Sequence, residues 1–62
     1  MSAPEVGDQV RVIAGQWTGW EGVADELLEP EWLWVVATST PHGKPGNWQR
    51  PLHISYLEVI EP

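Results

Sequence analysis

Val10, Val12 and Ile13 follow Gly7-Asp8 as an apolar run that begins by alternating with Gln9 and Arg11. A period of two places apolar side chains on one face of an extended chain, so this run predicts a first strand. Gly15 to Gly19 interrupts the pattern and reads as a turn. Gly22-Val23-Ala24-Asp25-Glu26-Leu27 predicts a second strand, with Glu29-Pro30-Glu31 as the turn after it. A helix over Asp25 to Leu33 is rejected, because Pro30 in its middle would remove a backbone donor and crowd the preceding turn. Trp32-Leu33-Trp34-Val35-Val36-Ala37, rich in aromatic and β-branched residues, is the strongest strand signal. Thr38 to Asn47 has the composition of a loop. Trp48 to Ile54 predicts a fourth strand, in which Pro51 marks an edge or a strand start. Ser55 to Glu58 fits one helical turn before Val59-Ile60 closes the chain. Five short strands joined by turns predict an all-β fold, a small five-stranded antiparallel barrel, with residues 1–62 as one domain.

The run Gly7-Asp8-x-Val10-x-Val12-x-x-Gly15-x-Trp17-x-Gly19-x-x-Gly22-Val23 resembles the KOW motif. That motif belongs to SH3-like barrels of NusG-type transcription factors and several ribosomal proteins, and the family's usual aromatic in the glycine loop falls at Trp17. Pro51 to Val59 is similar to the closing strand and short helical turn of those barrels. The resemblance covers nearly the whole chain, with a longer third loop. It implies a binding module rather than an enzyme. Together with the strand alternation, its register assigns the core to Val10, Val12, Val23, Leu27, Leu52, Ile54, Tyr56 and Val59. The glycines carry a physical reading of their own. Gly15, Gly19 and Gly22 stand where a tight hairpin and a strand bend need positive φ or close backbone approach.

In the third strand Trp32, Trp34 and Val36 share one face, while Leu33, Val35 and Ala37 share the other. Both faces are apolar, although a small barrel covers only the inner one. The KOW-like register places Trp34 and Val36 inward; a one-residue gap in the Glu29-Pro30-Glu31 turn would reverse this. The outer face then needs cover from the long loop, from Trp20 or Trp48, or from another molecule.

The chain has five tryptophans and no phenylalanine among 62 residues. A large aromatic buries about 150–250 Å², so an interior this small cannot hold all five. If the rim hairpin holds Trp17 out, it is substantially exposed and Trp17→Ala costs little stability; if Trp17 folds back as a lid on the core, the same change costs roughly 3–5 kcal/mol. Trp17, Trp20 and Trp48 are the candidate partner-binding anchors, since tryptophan supplies much contact area at low entropic cost. Arg11, Lys44 and Arg50 are candidate rim cations for pairing with acidic groups.

The net charge of −6 comes from nine acids and three bases. KOW domains that touch RNA are generally basic, whereas this field repels a polyanion, so no direct nucleic-acid binding is expected. Asp25, Glu26, Glu29 and Glu31 cluster, and no acid follows from Trp32 to Leu57. No nucleophile stands beside a base in a recognisable pattern. Ser39, Thr38 and Thr40 precede Pro41-His42 without a nearby acid, and His42 and His53 lack further spaced ligands. Gly43-Lys44-Pro45-Gly46 opens no helix and so cradles no phosphate. An enzyme, a metal and a cofactor are therefore not expected. The absence of cysteine, of a leader pattern and of a long apolar run points to the cytoplasm, without membrane insertion.

The leading expectation is a non-catalytic SH3-like docking module. Its partner would be a protein or ribonucleoprotein surface, including transcription or translation machinery, and a homo-oligomer stays open. One alternative is a structural accessory subunit of a redox or photosynthetic complex. The other is an acidic inhibitor that mimics nucleic-acid phosphates through Asp25, Glu26, Glu29 and Glu31.

Overall fold

The computed structural model of the protein describes residues 3–40 and 47–60. Five strands form one antiparallel sheet: β1 (Gln9–Val12), β2 (Glu21–Glu29), β3 (Trp32–Ser39), β4 (Trp48–His53) and β5 (Leu57–Val59). Their order in the sheet is β4-β3-β2-β1-β5, which leaves β4 and β5 at the edges. One 3-10 turn, Ile54–Tyr56, joins the two edge strands; it overlaps the predicted helical turn at Ser55 and Tyr56, while Leu57 and Glu58 belong to β5. Among the described residues there is no α-helix, and so no helix long and apolar enough to cross a membrane.

The glycine reading is borne out at all three positions. Gly15 and Gly19 have φ of +84° and +97°, which L-residues with a Cβ rarely adopt. Gly22 serves by lacking a Cβ, since one built there would fall on the Val36 carbonyl oxygen. The hairpin between β1 and β2 is closed by Gly19 N–H donating to Val12 O at 2.8 Å, and by Val12 N–H donating to Trp20 O at 2.8 Å.

The inner face differs from the expected one. Val10, Val12 and Leu52 are buried as predicted, but they are joined by Ala24, Leu33, Val35, Ala37 and Leu57. Residues directly opposite in a sheet share a face, and Val10 stands opposite Gly22. An inward Val10 therefore carries Gly22 and Ala24 inward and turns Val23 out to solvent. Asp25 has no partner in β3, and this bulge shifts the phase of the rest of β2. Leu27 then pairs with Leu33 but lies towards the hairpin end and is 58% exposed. Tyr56 covers Gly15 from outside, with ring atoms 3.5 Å from where a Cβ would stand, and remains exposed. Ile54 and Val59 are half-buried at the margin.

The expectation for β3 is likewise corrected. Leu33, Val35 and Ala37 face in, and Trp32, Trp34 and Val36 face out. The inner face of β3 is thus aliphatic, and the strand's two tryptophans lie on the outer face.

Candidate functional site

Trp17, Trp20 and Trp48 come from the β1–β2 hairpin and the start of β4, and they meet in one cluster. The ring centroids lie 5.0 Å apart for Trp17–Trp48, 5.5 Å for Trp20–Trp48 and 6.2 Å for Trp17–Trp20. The Trp17–Trp20 pair is edge-on at 76°, an arrangement favoured by the ring quadrupoles. The hairpin delivers its two indoles by tight local bonds. Thr18 N–H and its hydroxyl both donate to Gly15 O, and Trp20 N–H donates to Trp17 O at 3.1 Å. Trp48 enters from the other side because it stands opposite the inward Ala37. All three indoles pack against the buried core and are half-buried. Trp17 is therefore not the substantially exposed residue expected of a free rim loop. It is a lid on the core that keeps part of its surface in water.

Arg50 adds charge to this surface. Its guanidinium carbon lies 4.6 Å from the Trp17 ring centroid, a cation–π contact, and the residue is exposed. Arg11 is elsewhere. It stands on β1 between Glu21 of β2 and Glu58 of β5, its Cα partners on either side. Its Nη2 lies 2.9 Å from Glu21 Oε2 and its Nη1 2.9 Å from Glu58 Oε1. The Glu21 hydrogen bond and charge, with Glu58 behind them, push the guanidinium pKa up. The sequence reading gave Arg11 to a partner; the fold gives it two carboxylates of its own chain. Lys44 and His42 lie outside the described residues.

One constellation escaped the sequence reading. His53 Nδ1 is 2.8 Å from Ser55 Oγ, and its Nε2 is 3.3 Å from Glu31 Oε2. Nδ1 also accepts the Ser55 backbone N–H at 3.1 Å, so in the neutral ring the proton sits on Nε2 and points at Glu31. The imidazole thereby caps the 3-10 turn and pins the β2–β3 turn to the end of β4, where Ile54 N–H also donates to Glu31 O at 2.9 Å. The His-x-Ser spacing carried half of this arrangement; Glu31, distant in sequence, is reached only through the fold. His53→Ala is expected to lower stability by about 1 kcal/mol, the usual worth of a lost cap, read as a shifted urea midpoint with an unchanged slope.

No family model, no curated protein and no solved structure matches this chain. Among the described residues no three His, Cys, Asp or Glu side chains gather as metal ligands. The aromatic cluster and Arg50 form one continuous surface through the Trp17 ring. Its half-buried indoles and one cation are suited to contact and carry no reactive group.

Proposed function

We propose that the chain is an SH3-like barrel of the KOW type that works as a cytoplasmic, non-catalytic docking module. The strand order β4-β3-β2-β1-β5, the 3-10 turn before β5 and the glycines at 15, 19 and 22 support the fold part of this reading. The partner is a protein or ribonucleoprotein surface that meets Trp17, Trp20 and Trp48, with Arg50 reaching acidic groups at the rim. The observation that carries the docking part is the convergence of three tryptophans and a stacked arginine on one half-buried patch. Tryptophan and arginine are the residues most enriched among interface hot spots.

Arg50→Glu tests this without touching the core, because the residue is exposed. Both forms, shown to be equally folded by circular dichroism, are immobilised and offered lysate of the source cells. The wild type is expected to retain a defined complex in stoichiometric amount, and the variant to lose it. Equal retention by both, or none by either, rejects the reading.

A further inference from the structure

We propose that the outer face of the β2–β3 hairpin, centred on Trp32, is a second docking groove, for an extended polypeptide segment that carries basic side chains beside apolar ones. The groove is about 380 Å³ in volume and is lined by Leu28, Glu29, Trp32 and Pro51. Leu28 and Trp32 are 42% and 40% exposed, large apolar side chains left open in a chain too small to spare them. Leu28 reaches this position because it is a bulge residue with no partner in β3. The Trp32 wall is preformed. His53 meets it edge-on at 89° with centroids 5.3 Å apart, and His53 is itself held by Glu31 and Ser55. A wall fixed before binding loses little entropy when a ligand arrives. Trp34 continues the face opposite Pro51, its Nε1 donating to Gln49 Oε1 at 3.0 Å.

Charge selects the occupant. Glu29 and Glu26 stand opposite Trp32 and Trp34 in the ladder and so share their face. Asp25 and Glu31 flank them in sequence, and no lysine or arginine occurs between Arg11 and Lys44. A cation laid on the Trp32 ring would therefore sit beside carboxylates, gaining both a π-face and an ion pair. A second copy of this chain would bring acid against acid, and a nucleic acid or an anionic membrane would be repelled. An Arg- or Lys-bearing segment with leucine or proline between the charges meets both requirements.

The groove lies at the opposite end of β4 from Trp48, so it is tested apart from the aromatic cluster. Isotope-labelled protein is titrated with a synthetic (Arg-Leu-Pro)₃ peptide and followed by amide and indole NMR shifts. Saturable shifts are expected at Leu28, Glu29 and the Trp32 indole, with Val10 unmoved. Trp32→Ser, (Glu-Leu-Pro)₃ and (Arg-Gly-Ser)₃ should each weaken binding by about fivefold or more, the worth of one cation–π contact or one apolar contact set. Three results overturn the proposal. Shifts spread evenly over the other acids, such as Glu5, Glu21 and Glu58, mean charge alone. Equal shifts with the acidic peptide mean that charge does not select. Shifts at the groove that grow with protein concentration, without peptide, mean a second copy.

Discussion

Gly22→Ala is expected to leave the domain largely unfolded in buffer. A Cβ at this position would fall on the Val36 carbonyl oxygen, 2.7 Å from Ala37 Cα and 2.8 Å from Val36 carbonyl carbon. These are backbone atoms of the paired strand, so no side chain can rotate away to make room. The clash is one of space, since Gly22 is not among the glycines with positive φ. Relief requires β2 and β3 to separate where Gly22 stands opposite Ala37, next to the irregularity between Glu21 and Gly22. Overpacking costs about 1–3 kcal/mol and sometimes more, while a core in a chain this short rarely supplies more than about 3–5 kcal/mol. Circular dichroism of the variant, with urea melts of both forms, decides the matter. A variant with a wild-type midpoint would mean that the strands part there at negligible cost.

Trp48→Ala is expected to destabilise the fold by about 3 kcal/mol or more, the scale of emptying an aromatic site in a core. Trp48 makes the two closest ring contacts of the cluster, and its Nε1 is buried without a hydrogen-bond partner among the described residues. Removing it leaves Trp17 and Trp20 facing a void beside the buried core they pack on. Trp17→Ala acts in the same direction. Denaturation followed by far-ultraviolet dichroism avoids the altered fluorescence of the variants. A loss well under 1 kcal/mol would mean that the cluster rests on the sheet without supporting it.

The strands, the edge position of Pro51 and the positive φ of Gly15 and Gly19 were legible in the sequence because alternation, a missing N–H and backbone freedom act within a few residues. Gly22 was legible only as a glycine at a strand bend; the atoms that need its space, Val36 and Ala37, lie in the paired strand. The phase of β2 was not legible, because it is set by the pairing of Val10 with Gly22 and then shifted by the Asp25 bulge. Val23 and Leu27 offered larger apolar side chains than Ala24, yet pairing put the alanine inside. Reversal of the β3 faces follows from the same ladder, as Leu33, Val35 and Ala37 stand opposite Leu27, Ala24 and Gly22. Tryptophan number signalled a surplus of aromatic area without saying where it gathers. Trp17 and Trp20 meet Trp48 only because the hairpin folds over the inner face beside β4. The His53–Glu31 contact depends on how the β2–β3 turn docks, and local pattern carries no trace of that.

Pro51 in edge strand β4 has a consequence for how this molecule meets others. Exposed strand edges are templates on which foreign strands, or further copies, add themselves by backbone pairing. An added strand along β4 would meet an interruption at Pro51, which has no N–H. The opposite edge, β5, is three residues long. Among the described residues neither border offers a long unbroken ladder, which disfavours templated aggregation and pairing by main-chain registration. Side chains on the faces, where Trp32 is exposed and acids cluster on β2, are the part of the sheet left open to contact.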